Sequence, residues 1–274
     1  KSNKALCEIN TWFYDNQLTV NPTKTKFINY FSKSTKLNLT FNQTQISQIG
    51  NKFVESSFRY LGFHLDENLT FDSHVKQVLK KVGLGNYFIN MTKRMIPFHA
   101  RKEIYHAFVG SHLNYGSIIL SYTTKKNQNK LLKAQKKAIR NINLKKTNYP
   151  TEELFKKNKI LRLDQLYDLT RIKFLMDARD ELLPAKLQRH FNKYGLESRL
   201  HASNDFIIDR QNVDNFIRYK LPKFYNELNI DERNTYSKQM YIDHFKSERF
   251  FINELEENLE ESRFNLDIDE LPFL

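Results

Sequence analysis

The spacing of apolar residues changes at about Phe71, and this change limits the chain to a mixed architecture. Before Phe71, apolar and polar residues alternate in short runs such as residues 58–65, which is the pattern of half-buried strands. After it, apolar residues recur every three or four positions, as at Val75, Val78 and Val82, which is the pattern of helices. The sequence therefore predicts an α+β fold, in which a small antiparallel sheet with a helix precedes a mainly helical region.

The same spacing predicts the individual elements. Residues 3–17 carry apolar side chains at helical intervals, residues 26–31 and 37–41 predict short strands, and residues 58–65 predict a further strand that contains Gly62. We divide the chain into three parts: residues 1–68, residues 69–190, and a C-terminal extension over residues 191–274 that ends in an acidic tail.

The charge is strongly positive and unevenly distributed. The 274 residues carry a formal net charge of +13. Residues 252–274 contain eight acids and one base, a net charge of −7, so that residues 1–251 carry +20. A basic body of this kind favours a polyanionic partner. The alternative is a lysine-rich surface with no such partner, from a genome biased towards Asn, Lys, Phe, Tyr and Ile.

Within the helical region, positive residues recur at steps of four, three, four and three. This spacing places five charges on one face of a predicted helix. Like charges so arranged repel one another, whereas a phosphate backbone would convert the repulsion into attraction. We therefore predict a nucleic-acid-binding stripe, with a solvated outer face as the alternative; its members are Lys126, Lys130, Lys133, Lys137 and Arg140.

The sequence offers few candidates for catalysis. No Asp-Asp pair occurs, although two-metal polymerases hold their ions with paired carboxylates. Asp66 and Asp72 are six residues apart, and we interpret them as turn and cap residues. Cys7 is the single cysteine, which excludes a disulfide framework and a cysteine-based zinc site. We predict no metal site and no cofactor in this chain.

Several stretches resemble the jockey-like branch of non-LTR retrotransposon reverse transcriptases, which are RNA-directed DNA polymerases. Trp12 and the run 16–26, with the order Asn-x-Leu-x-x-Asn followed by Lys-Thr, resemble the segment after that family's catalytic Asp-Asp. The run 58–66, Phe-Arg-Tyr-Leu-Gly-Phe-His-Leu-Asp, resembles its primer grip. The runs 135–140 and 154–161 resemble later landmarks. The resemblance covers roughly residues 3–190 and is fainter beyond.

The resemblance implies roles for particular residues. Lys24 falls where such polymerases place a lysine near the incoming triphosphate, where it would act as a possible acid on the pyrophosphate side. Tyr60, Leu61 and Gly62 fall in the primer grip, which positions the primer's 3′ end. The helices from about residue 72 would form the thumb, which holds the template–primer duplex.

The resemblance also implies what is missing. The family's catalytic Asp-Asp block lies upstream of Trp12, so we expect the chain to be a fragment of a longer polymerase or a decayed element copy that does not polymerise DNA alone. Mg²⁺ is expected only for the full-length polymerase. The expected partners are RNA, an RNA/DNA template–primer and the absent N-terminal part, whereas the oligomeric state stays open.

Two further expectations complete the sequence-based picture. No apolar run approaches the roughly 20 residues that span a bilayer, and no secretory signature opens the chain, so we expect an intracellular protein, nuclear or cytoplasmic, without a membrane partner. The alternative function is a non-catalytic helical protein-interaction module or a domesticated scaffold protein.

Overall fold

The computed structural model describes residues 2–30, 39–41, 44–49, 56–191, 206, 220–228 and 237–250. It confirms the predicted α+β class, in which helices predominate and the strands are short. The predicted acidic tail lies outside the described residues. By backbone contacts the chain forms two compact units, one of residues 1–80 and 123–127, the other of residues 81–122 and 128–274. The three-part division at residues 68 and 190 stays a prediction.

The first unit contains one complete helix and all six described strands. These elements are α1 (Ser2–Asp15), β1 (Lys26–Ile28), β2 (Thr40–Phe41), β3 (Thr44–Gln45), β4 (Ser47–Ile49), β5 (Ser57–Tyr60) and β6 (Phe63–Asp66). They pair two by two: β2 with β3 and β5 with β6 run antiparallel, whereas β1 with β4 runs parallel. The parallel pair departs from the predicted antiparallel sheet, and the β2–β3 hairpin lies between its two strands in the sequence, since the crossover connection of a parallel pair requires an intervening segment.

The long helix α2 (Asp72–Thr92) begins immediately after a loop that Asp66 organises. The carboxylate of Asp66 is buried and accepts backbone N–H groups from Asn68, Thr70 and Phe71 at 2.9–3.1 Å. These bonds fix a turn in which Phe71 adopts a positive φ of 59°. Asp66 is therefore a turn residue, as predicted.

The second unit is helical. After α2 the chain forms α3 (Phe98–Tyr105), a π-helical turn (His106–Gly110), α4 (Ser111–Asn114), α5 (Ser117–Leu120), α6 (Lys125–Ile142), α7 (Glu152–Lys157), α8 (Leu163–Arg179), α9 (Ala185–Gln188), α10 (Leu221–Asn226) and α11 (Lys238–Phe250). No helix in the described ranges combines the length and apolar character needed to cross a bilayer.

The core of this unit is built around α8. Its buried side chains Ile172, Leu175 and Met176 pack with residues of α10 and α11, including Tyr225 and Phe245. Phe206 contacts the ring of Tyr225 with a centroid separation of 4.8 Å. Removal of these large apolar surfaces from water is the main stabilising contribution to this part of the fold.

A close contact joins α2 to the π-helical turn. A Cβ atom added at Gly85 would lie 2.9 Å from Cβ and from the carbonyl oxygen of Phe108. Only glycine allows the two backbones to approach so closely, which explains a glycine in the interior of a 21-residue helix. Asn86, next to it, donates its side-chain amide to the carbonyl of Ala134 at 3.1 Å and so holds α2 against α6.

Candidate nucleic-acid interface

The predicted positive stripe lies on α6, and four of its five members are exposed. We call Lys126, Lys130, Lys133 and Lys137 the lysine stripe. Within the described part of the chain, none of the four pairs with a carboxylate. From first to last they span about 16 Å of helix axis, because a helix rises about 1.5 Å per residue. Their charges are thus available to a partner along that length.

The opposite face of α6 is fully buried. Leu131, Ala138, Ile139 and Ile142 have no exposed surface. Gln135 is buried among them, and its Nε2 donates to the hydroxyl of Tyr105 at 3.0 Å and to the carbonyl of Leu161 at 2.9 Å. These contacts fix the rotation of α6 about its axis. The burial of one face therefore determines that the lysine stripe points to solvent.

Arg140 differs from the four lysines. Its Nε donates to the carbonyl oxygen of Tyr149 at 2.8 Å, and the side chain is half-buried. The guanidinium thus ties the end of α6 to the loop before α7. The spacing of positive residues predicted its face of the helix but not this bond, because its partner is a backbone atom nine residues away.

Lys136 is next to the stripe, but its charge is balanced. Its Nζ lies 3.6 Å from Glu152, which also pairs with Arg162 at 3.0 Å. Arg162 in turn pairs with Asp164. Glu152 and Asp164 thus form an ion-pair cluster with Lys136 and Arg162, whereas no described carboxylate pairs with a member of the lysine stripe.

The predicted continuous strand over residues 58–65 is wrong, because the chain reverses at its centre. β5 and β6 form a hairpin in which Tyr60 pairs with Phe63, and Leu61 and Gly62 form a two-residue turn. Both turn residues have positive φ, 46° for Leu61 and 85° for Gly62, as a type I′ turn requires. Alternating polarity cannot distinguish a hairpin from one strand when the turn lacks Asn-Gly or Asp-Gly.

The tip of this hairpin has an unusual composition. Leu61 is 73% exposed and Tyr60 is 56% exposed. A leucine in the left-handed region costs about 1–2 kcal/mol relative to its ordinary conformations. A strained and exposed apolar residue contributes little to folding, so Leu61 is not at this tip for the sake of stability.

Lys24 lies at the turn before β1 and is exposed. The side-chain oxygen of Asn21 organises this turn, since it accepts the backbone N–H of Thr23 at 3.0 Å and that of Lys24 at 3.3 Å. Lys24 is therefore held by its backbone, and its ammonium group extends from an ordered turn.

Two carboxylates of the first unit, Asp66 and Asp72, form hydrogen bonds within the fold. Asp66 is occupied by backbone N–H groups, and Asp72 accepts the side-chain amide of Asn127 at 2.6 Å. No group of three or more His, Cys, Asp or Glu side chains in the described ranges could hold a metal ion. These residues do not fit the paired Mg²⁺ site of a polymerase.

The helix α2 also has an exposed apolar surface that was not predicted from the sequence. Leu84, Tyr87, Phe88 and Met91 recur at helical spacing and are exposed, whereas Ile89 is fully buried. α2 thus has two apolar faces, and only the face that contains the Val75–Val82 positions and Ile89 was predicted. The sequence does contain a pattern that could have indicated this surface, namely apolar residues on two faces of one helix. A helix of that kind has to bury its second face against something other than its own core.

No protein-family model, no curated protein and no solved structure matches this chain.

Proposed function

We propose that this chain is the end of the palm and the thumb of a non-LTR retrotransposon reverse transcriptase, and that it binds RNA or an RNA/DNA template–primer through the phosphate backbone. The observation that carries the proposal is the lysine stripe on α6. Residues that resemble the family's motifs, at Trp12 to Lys26 and Phe58 to Asp66, support the specific assignment. In this assignment the chain contacts nucleic acid and the catalytic carboxylates belong to another part of the polymerase.

The electrostatics of the stripe favour a polyanion over an apolar partner. Adjacent lysines on one helix face repel by a few tenths of a kcal/mol per pair. Phosphates replace that repulsion with attraction, and each contact releases a counterion. The stripe is about 16 Å long, so that it faces several consecutive phosphates of one strand.

The hairpin of β5 and β6 provides a second kind of contact. Tyr60 and Leu61 present exposed apolar surface at its tip, and Gly62 leaves the backbone accessible. Such a tip suits a nucleotide's sugar or base better than its phosphate, as expected of a primer grip that positions a 3′ end. In this assignment Lys24 lies near the incoming triphosphate.

Binding to an RNA hairpin at low and at high salt tests the proposal. We expect affinity to fall steeply and linearly with the logarithm of salt concentration, with little sequence preference, because phosphate contacts dominate. We also expect no nucleotide incorporation by the purified chain with Mg²⁺. A flat salt response would contradict the nucleic-acid function, and measurable polymerisation would contradict the placement of the catalytic carboxylates elsewhere.

The second candidate is a helical protein-interaction module, and the exposed apolar face of α2 favours it. A protein partner would bury Leu84, Tyr87 and Met91, and such binding would respond weakly to salt. The same titration separates the two candidates.

A further inference from the structure

The proposed function leaves the exposed apolar face of α2 unused. We call Leu84, Tyr87, Phe88, Met91 and Met95 the α2 apolar stripe. Met91 is 58% exposed and Met95, three residues after the end of the helix, is 83% exposed. Phe108 extends the surface, since its ring packs against Phe88 with a centroid separation of 5.8 Å.

The arrangement is that of a docking surface. Singly scattered apolar residues are normal on a protein surface, but a contiguous stripe marks a contact. The positions i, i+3, i+4 and i+7 of the first four members form one helix face of the kind that packs against an apolar segment. Ile89, on another face of the same helix, is fully buried, whereas the members of the stripe are exposed, so the stripe faces away from the core.

The surroundings of the stripe are basic. Residues 81–122 contain five bases and one acid, a formal charge of +4. Lys81, which precedes the stripe, and Arg94, which is next to Met95, are both exposed. An occupant that is both apolar and acidic would therefore match this surface.

The C-terminal residues of the chain have that composition. The last described helix, α11, ends at Phe250, and 24 residues follow it. Residues 252–274 carry a net charge of −7, and Ile252, Leu255 and Leu259 recur at steps of three and four between the acids. Both the α2 stripe and α11 belong to the second unit, so that the segment is tethered to the same compact body.

We propose that the acidic C-terminal segment, residues 252–274, docks on the α2 apolar stripe and covers it. The apolar residues of the segment contact Tyr87, Phe88 and Met91, and its carboxylates face Lys81 and Arg94. The segment and the stripe belong to one chain, so that docking is intramolecular and does not depend on the protein concentration.

Site-specific photo-cross-linking in the full-length chain tests this proposal. A benzophenone-bearing amino acid at position 91 is compared with the same amino acid at Asn90, which is exposed on α2 but lies outside the stripe. We expect position 91 to cross-link to peptides from residues 252–274, and position 90 to do so several-fold less. No nucleic acid is present, so the outcome is independent of the proposed function.

Mixing isotope-labelled and unlabelled chains identifies the origin of the cross-linked segment. Cross-links within one copy support the proposal. Cross-links between copies, or to any other part of the chain, would overturn it, and so would equal yields from positions 90 and 91. A second copy or a protein partner would then be the occupant of the stripe.

A variant of the C-terminal segment shows whether the cross-link depends on docking or only on the reactivity of the probe. Leu255→Glu with Leu259→Glu removes apolar contacts without touching α2, and we expect the cross-link from position 91 to fall several-fold. The matched control Asn253→Gln with Asn258→Gln leaves the apolar residues and the charge in place. An unchanged yield in the glutamate variant would contradict docking through those leucines.

Discussion

The side-chain amide of Gln135 donates to the hydroxyl oxygen of Tyr105 at 3.0 Å, in the interior of the second unit. The same amide nitrogen also donates to the carbonyl of Leu161, and Oε1 accepts the backbone N–H of Leu163 at 2.9 Å. One buried polar side chain thus connects α6 with α3 and with the start of α8. Because α6 carries the lysine stripe on its opposite face, this network positions the candidate interface.

Replacement of Gln135 should destabilise the protein strongly. Gln135→Leu leaves the carbonyl of Leu161, the N–H of Leu163 and the hydroxyl of Tyr105 without this partner, and each unsatisfied buried group costs about 1–3 kcal/mol. We expect a loss of at least about 3 kcal/mol in the free energy of unfolding, measured by urea denaturation. Tyr105→Phe is the matched control, because it removes one hydrogen bond and should cost about 1 kcal/mol. Equal losses in the two variants would contradict the role of Gln135 as the centre of the network.

The alkaline pH dependence of stability should change when Tyr105 is replaced. Burial, partly offset by the hydrogen bond from Gln135, raises the pKa of Tyr105 from 10.0 to about 12. The unfolded chain therefore loses this proton at lower pH than the folded chain does. Its stabilising contribution is complete below pH 10 and is lost as the pH rises towards about 12, at about 1.4 kcal/mol per pH unit.

The comparison of wild type with Tyr105→Phe isolates this effect. At pH 8 we expect the wild type to be more stable by about 1 kcal/mol, from its hydrogen bond. By pH 12 the order should reverse, since only the wild type loses the stabilising contribution of a buried neutral phenol. A difference that stays constant from pH 8 to pH 12, measured by denaturant unfolding, would contradict the raised pKa.

Two glycines of α2 should respond in opposite ways to the same substitution. Gly85→Ala forces a Cβ atom against the backbone oxygen of Phe108, and overpacking of this kind costs about 1–3 kcal/mol. A Cβ at Gly83 meets no atom within 4 Å, so that Gly83→Ala should stabilise the helix by about 0.5–1 kcal/mol. Thermal unfolding measures both. Stabilisation by both alanines would mean that α2 and the π-helical turn are not in close contact.

Substitutions at the hairpin tip should show that the backbone strain at Leu61 lowers stability but supports binding. Leu61→Gly removes a side chain from a position with φ of 46° and should raise the free energy of unfolding by about 1 kcal/mol. Gly62→Ala, at φ of 85°, should lower it by about 1 kcal/mol. If the tip contacts nucleic acid, Leu61→Gly will bind an RNA/DNA hybrid more weakly despite its higher stability. Unchanged affinity for the hybrid would remove Leu61 from the interface.

The sequence predicted those features that depend on local periodicity. The helical spacing of the lysines predicted the exposed face of α6, and Asp66 is the predicted turn residue. Asp72, predicted as a cap, is instead the first residue of α2 and accepts the side-chain amide of Asn127. The α+β class followed from the change of pattern near Phe71. In each case neighbouring residues along the chain determine the feature, because a helix or strand has a fixed period.

Features that depend on distant contacts or on backbone strain were not predicted. The hairpin at Leu61 and Gly62 was interpreted as one strand because leucine is rarely found at positive φ. The bond from Arg140 to Tyr149 depends on the course of the loop between them. The second apolar face of α2 was overlooked because Leu84 and Met91 resemble core residues until their exposure is known.

The most direct test of the central claim is the salt dependence of RNA binding by a variant of the lysine stripe. The triple variant Lys130→Gln, Lys133→Gln and Lys137→Gln removes three charges from exposed positions on one face of α6. The matched control, Lys146→Gln, Lys156→Gln and Lys186→Gln, removes three exposed charges from other segments. Both variants have the same net charge, so that only the position of the charges differs.

Each phosphate contact contributes about 0.9 to the slope of the logarithm of the binding constant against the logarithm of salt concentration. We predict that the stripe variant binds an RNA hairpin more weakly and with a slope shallower by about 2.7, whereas the control loses less than about 1. Equal slopes in the two triple variants would contradict the claim that these lysines bind the phosphate backbone.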